Sequence, residues 1–321
     1  MTLTKFMVRW ILTFAVLTAA LSHTYAYEVT THIALSENAA KVSANLTGQL
    51  TNFGLSSITE QLQQGVTTIS ILDWIREGAK REDDTLTEVF ARYKNHFYDP
   101  VNDRGFGGIL YRNSGFITGM PAPDWALEDS VPASGQIYSF HSARQYMYDG
   151  LTKADKASRE SNLALMYRSV GDVMHLVQDM AQPQHTRNDG HGDGSLYEQY
   201  TNRADVRTNV LTYSSVLIPA VAKARDFFTN SSGTGLAQYS NKNFVSAGTN
   251  FSYLNGTIQK NSLYQYPIPT NQIESVSVQD LDFSPAIKEY CGQNCTIRFI
   301  SSVNDLGETQ PRASTDLVNF F

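Results

Sequence analysis

Between residues 175 and 198 the chain sets three histidines and two acids at the end of a long helical pattern, spaced H-x3-D-x5-H-x5-H-x6-E. His175 and Asp179 are four apart within Ala154 to Met180, whose periodicity predicts a helix ended near Pro183, so their side chains share one face. His185 follows just past that end, His191 sits in the glycine-rich loop Gly190 to Gly194, and Glu198 stands near the start of the next helix. Neutral imidazole and carboxylate are the ligands zinc accepts when thiolate is absent. One such histidine alone reads as a satisfied polar residue at a helix end. A run of polar groups that needs partners if buried reads instead as a metal site.

The rest of the chain predicts an all-α fold with a different tail. Thr30 to Gln49 reads as one helix, Ile69 to Lys80 as a second and Thr85 to Tyr93 as a short third. Val101 to Asp129, rich in Gly, Pro, Asn and Asp, reads as a long loop. Ser139 to Gly150 is helical, and Leu196 to Phe228 is helical with a bend at Pro219. From about Gly233 small polar residues dominate, and Glu274 to Val278 and Thr296 to Ser302 alternate as strands do. The expected organisation is a helical domain over 27–232 and an irregular or β-containing tail over 233–321.

Residues 1–26 read as an export signal. Lys5 and Arg9 are followed by the apolar stretch Trp10 to Leu21 and by Thr24-Tyr25-Ala26, which suits cleavage before Tyr27, although cleavage after Ala20 is an alternative. The mature chain is then expected to be secreted or periplasmic, with no further membrane span: Val210 to Phe228 is broken by Pro219 and carries Lys223, Arg225 and Asp226. Loss of Lys5 and Arg9 leaves 23 basic against 31 acidic residues, a balance of −8. That charge is a poor background for holding a polyanion by counterion release, though bound cations would add local positive charge. Cys291 and Cys295 read as a local disulfide or free thiols outside the chemistry.

Upstream of the histidine run lie Gly78 to Asp83 and Asn95-His96-Phe97-Tyr98-Asp99-Pro100. Alone, Glu82-Asp83-Asp84 reads as a solvated acidic turn, His96 as a loop histidine and His32 as a surface one. Together they resemble the zinc-dependent phospholipase C and single-strand nuclease superfamily. The phospholipase branch places a G-x4-D stretch before an H-F-Y-D-P segment, then H-x3-D-x2-Q-P-x-H and S-x-Y-E. Here those segments are Gly78 to Asp83, His96 to Pro100, His175 to His185 with Gln182-Pro183, and Ser195 to Glu198. The resemblance covers roughly residues 27–200 in unbroken order.

The resemblance implies a multi-helix phospholipase C-like domain holding three zinc ions. One would take the Tyr27 amino and carbonyl groups, His32 and Asp179. A second would take Asp83, His96, His175 and the bridging Asp179. The third would take His185, Glu198 and a further histidine. The family places that last ligand four residues before the glutamate, where Gly194 stands here, so His191 is the substitute. Asp83 is also implied as general base.

The implied activity is phosphodiester hydrolysis, with phospholipid head groups as substrate and peripheral contact with a membrane surface. The alternatives are a single-strand nuclease or 3′-nucleotidase on the same metals, and a zinc-stabilised binding protein without turnover. Tyr93 is aromatic as in the choline-selecting enzymes, whereas Asp84 replaces an aromatic, which leaves the head group open. Tyr98, Trp125 and Tyr138 read as core, with the lining of a cleft as their other reading, and His141 reads as a helix cap or core residue ahead of a metal role. Arg144, Arg168 and Arg187 read as surface residues, or as partners of phosphate or of ligand carboxylates.

Overall fold

A computed structural model of the chain describes residues 28–83, 92–109, 115–191, 195–205, 207 and 221–243, with short strands beyond. Helix α1 (Val29–Val42) stops at Ser43, whose extended backbone and side chain, accepting from Leu46 N at 3.1 Å, start α2 (Ala44–Asn52). The single helix expected over 30–49 is therefore two, because a serine with a free acceptor caps a helix better than it continues one. A hairpin of β1 (Gln61–Gln64) and β2 (Thr67–Ser70) turns at Gly65, whose φ of 60° suits glycine. It leads into α3 (Ile71–Arg81), capped by Ser70.

Tyr93–Asn95 is a 3-10 turn, and residues 85–91 of the predicted third helix lie outside the described residues. The expected loop 101–129 carries structure of its own. β3 (Gly107–Ile109) pairs with β4 (Phe116–Thr118), and α4 (Ala122–Leu127) follows. Prolines 121 and 123 sit where a helix start has no use for their missing N–H. Then come α5 (Phe140–Thr152), capped by Ser139, and α6 (Lys156–Asp179), capped by Asp155. After α6 come a single turn, α7 (Pro183–Thr186), and α8 (Leu196–Thr201). The helix expected as far as Phe228 is thus broken: Ala224–Phe227 is a 3-10 turn, and residues 208–220 lie outside the described set.

The described part is mostly helical, with a few short strands. α6, about 36 Å long at 1.5 Å per residue, is its axis and packs on α1, α3, α4, α5 and β1. Its first half puts Leu163, Met166 and Tyr167 into one core with Leu50, Leu62, Ile71 and Trp74. Its end puts Leu176 and Met180 into another with Tyr98, Trp125, Leu127 and Phe228. α9 (Leu236–Asn243) joins this second core through Leu236 and Ala237, and Asn241 donates to Thr186 O at 2.6 Å. The helical unit thus runs past residue 232, where the change in composition suggested a boundary.

Beyond it, antiparallel pairs join Phe251–Leu254 with Thr257–Lys260, Ile273–Ser277 with Thr296–Ile300, and Ser302–Asp305 with Glu308–Pro311. The two strand predictions, Glu274 to Val278 and Thr296 to Ser302, overlap the second pair. Cys291 and Cys295 lie outside the described residues.

Two glycines bring the site-bearing helices together. A Cβ on Gly78 would strike Arg168 O, and one on Gly171 would strike Ile75 O. α3 and α6 therefore cross backbone to backbone, which delivers the end of α3 to the middle of the buried polar face of α6.

Candidate metal centre

That face of α6 is Arg168, Asp172, His175 and Asp179, at i, i+4, i+7 and i+11, all buried. A helix stripe in this register normally carries apolar core residues. Here it carries charge and imidazole. Asp83 arrives just past the end of α3, His32 from α1, and His96 after the 3-10 turn. His185 comes from α7, His191 from the loop after it and Glu198 from α8. The Phe97 ring stacks on His185 at 4.2 Å between centroids, fixing that imidazole from the apolar side.

Three groups of potential ligand atoms result, each within 4.8 Å: His32, His175 and Asp179; Asp83, His96 and His175; His185, His191 and Glu198. His32 Nε2 is 3.4 Å from Asp179 Oδ1, and His96 Nδ1 is 3.4 Å from Asp83 Oδ1 and 3.2 Å from Asp179 Oδ2. His175 Nε2 is 3.5 Å from Asp83 Oδ2 and 3.5 Å from Asp179 Oδ2. His185 Nδ1 lies 4.0 Å from Asp179 Oδ2. Ligand atoms about 2.0–2.2 Å from a tetrahedral ion stand roughly 3.3–3.6 Å apart. Most of these spacings are too long for good hydrogen bonds and right for atoms that share an ion.

The hydrogen-bond inventory fits the same occupant. Asp83 Oδ2, His175 Nε2 and both oxygens of Asp179 are buried without a hydrogen-bond partner. Such groups are costly to bury unless a cation completes them. The opposite ring nitrogens are anchored. His175 Nδ1 lies 2.8 Å from Ala79 O, His185 Nδ1 2.8 Å from His96 O and His191 Nδ1 2.8 Å from Asp189 O. His32 Nδ1 lies 2.7 Å from Gln178 Oε1, and Gln178 donates in turn to Ser36. Each anchor directs a lone pair at Nε2 into the cluster, the usual arrangement for a metal-binding imidazole.

Electrostatics agree. Burial drives His175 and His185 well below the ordinary imidazole range and His32 to about 3, so these rings are neutral and able to ligate. Burial, then mutual repulsion with Glu198 and Glu82, holds Asp83 well above the carboxylate range, and burial with repulsion from Asp83 does the same to Asp179. Burial pushes Glu198 up to about 7 against the pull of His191. His191 is itself raised: burial is the largest influence and works against its charge, but the Glu198 carboxylate and Asp189 together outweigh it.

The structure brings His32, Asp83, His96, His175, Asp179, His185, His191 and Glu198 into one buried cluster. Tyr27, Asp84 and the segment 1–26 lie outside the described residues. His175 lies within reach of two of the groups. Two expectations change. The acidic turn at Glu82 and Asp83 is buried, at 1% and 2% exposure, because it is pressed against α6. His141 is exposed on α5 rather than capping or core.

Tyr98, Trp125 and Tyr138 are core residues. Arg144 is exposed. Arg187 is fully buried and donates to Asn241 O, whereas Arg168 lies over the Tyr138 ring at 3.7 Å and beside Asp172.

Sequence reading missed the outer partners. Gln182 Nε2 donates to Glu198 Oε1 at 3.3 Å and to Ser195 Oγ at 3.1 Å. Glu82 binds Arg92 and accepts from Trp125 Nε1 at 2.9 Å, and Arg92 reaches Asp172 at 3.3 Å. The polar stripe of α6, visible in the sequence as Arg168-x3-Asp172-x2-His175, was the available signal for Asp172. No protein-family model, curated protein or solved structure matches this chain. Buried His, Asp and Glu clusters with the spacing of metal ligands are what fold and site together define.

Proposed function

We propose that the protein is an exported zinc metallohydrolase of phosphodiesters, acting as a phospholipase C on phospholipid head groups at a membrane surface. The observation that carries this reading is the merging of neighbouring ligand groups: His175 is common to two of them, and Asp179 reaches His32, His96 and His175. A structural zinc site is closed and single, whereas adjoining sites suit phosphoryl transfer. The order of the segments around these residues, from Gly78 to Glu198, supports the phospholipase branch.

The donor set of imidazole and carboxylate fits zinc, with His32 and Asp179 for one ion, Asp83, His96 and His175 for a second, and His185, His191 and Glu198 for a third. When bound, zinc supplies Lewis acidity toward water and the phosphoryl oxygens. Asp83 takes the proton of the attacking water at its carboxylate, as a general base within reach of the cluster. Asp179 holds His32, His96 and His175 in mutual register. The buried imidazoles keep bulk water from the reacting centre, which strengthens every charge interaction there.

Metal analysis of the purified protein, with assays on phosphatidylcholine, single-stranded DNA and a chromogenic phosphodiester, tests the reading. Zinc-dependent release of diacylglycerol from the phospholipid is expected. Cleavage of DNA alone would move the protein to the nuclease reading, and zinc binding without any turnover would leave a binding protein.

A further inference from the structure

Among the metal-facing imidazoles, His96 is turned the other way. His32, His175, His185 and His191 each hold Nδ1 against an oxygen and leave Nε2 for the cluster. His96 presents Nδ1 to Asp83 and Asp179 instead, and its Nε2 is buried without a hydrogen-bond partner. The nearest carboxylate to that nitrogen is Glu82, with Oε1 3.6 Å away.

Glu82 is itself held by two residues, Trp125 and Arg92. Its side chain has no exposure, Oε1 accepts from Trp125 Nε1 at 2.9 Å, and Oε2 accepts from Arg92 Nε at 3.2 Å and from Nη2. Arg92 is fixed by Gln136 at 3.2 Å and by Asp172 at 3.3 Å, and its guanidinium lies 5.2 Å from the Trp125 ring centre. Arg92 thus pairs the Oε2 side of the carboxylate, and Oε1, which accepts from Trp125, is the oxygen that faces His96 Nε2.

We propose that Glu82 is the positioning residue of His96: its carboxylate accepts a hydrogen bond from Nε2–H of the ring and so commits Nδ1 to the metal. A shift of a few tenths of an ångström closes 3.6 Å to a hydrogen bond. The carboxylate makes His96 a stronger donor ligand, and the Arg92, Asp172 and Trp125 frame transmits the rigidity of α6 and α4 to the centre of the site. This rests on the metal-centre reading above, since a ring nitrogen is committed only to an occupant.

The decisive measurement is the tautomer of each histidine in zinc-loaded protein carrying ¹⁵N-labelled imidazoles, with His96 assigned by its loss in His96→Gln. His96 is expected as the Nε2–H form and the other cluster histidines as Nδ1–H forms. Glu82→Gln is expected to weaken zinc binding in chelator competition by about 10–100-fold, the usual effect of losing an outer partner, and to perturb the His96 signals first. A His96 ring coordinated through Nε2 in the wild-type protein overturns the proposal, and so does a Glu82→Gln protein with unchanged zinc affinity and unchanged His96 tautomer. If Glu82→Gln fails to fold, the wild-type tautomer decides alone. Protein that takes up no zinc overturns this proposal together with the metallohydrolase reading; protein that takes up zinc through every Nε2 overturns this one only.

Discussion

His191 Nε2 stands 2.8 Å from Glu198 Oε1 and 3.2 Å from His185 Nε2. The glycine-rich loop therefore delivers a histidine to the third ligand group from a position three residues earlier than Gly194, where the resemblance places one. His191→Ala is expected to lower bound zinc by one ion per chain and leave the other two in place. Metal analysis after dialysis at limiting zinc checks this, and an unchanged zinc content would remove His191 from the ligand set.

Asp83→Asn keeps the size of the side chain and one coordinating oxygen but loses the base. Turnover is expected to fall by about 10²–10⁴-fold, the range of general-base catalysis, with a much smaller change in zinc content. Steady-state kinetics on a soluble phosphodiester beside metal analysis separates the two effects. Wild-type turnover would reassign the base.

Glu198 sets a sign that can be read in metal-free protein. Its pKa rises from an ordinary value near 4.5 to about 7 on folding. Between those values the folded chain binds more protons than the unfolded one, so this group costs stability progressively as pH climbs from about 4.5 to 7. In excess chelator, Glu198→Gln is expected to be more stable than wild type at pH 8, by up to ~3 kcal/mol as an order of magnitude. The gain should vanish below pH 4.5, where Glu198 is protonated in both states. With zinc present the order should reverse, because the variant lacks a ligand. Thermal melts across pH, with and without metal, check both signs.

Gly78→Ala and Gly171→Ala test the crossing of α3 and α6. Each new methyl meets a backbone carbonyl that cannot step aside. Each substitution is expected to destabilise by about 1–3 kcal/mol or more, measured by denaturant unfolding, and to lower zinc content because Asp83 moves away from His175. Stability equal to wild type would mean that the helices separate without cost.

The residue types of the buried cluster and most of the helices were legible because both are local. His175 and Asp179 share a helix face by their spacing alone, and Ser139 announces the start of α5. The breaks were harder. Ser43 and Ser70 look like ordinary polar residues until their backbones turn extended and their side chains become caps. The loop 101–129 concealed α4 because its prolines lie at the helix start, where they do no harm.

The sequence by itself determined which groups are available: imidazoles and carboxylates in a fixed order, on a helix long enough to hold two of them. Only the tertiary structure decided that His32, Asp83 and His96, far from α6 along the chain, meet His175 and Asp179 at the spacing of metal ligands. It also decided that Glu82, next to Asp83 and read as solvated, is buried beside His96. The physical reason is that spacing controls which side chains share a face of one element. Burial and the distance between elements depend on close crossings such as Gly78 against Arg168, which no local pattern encodes.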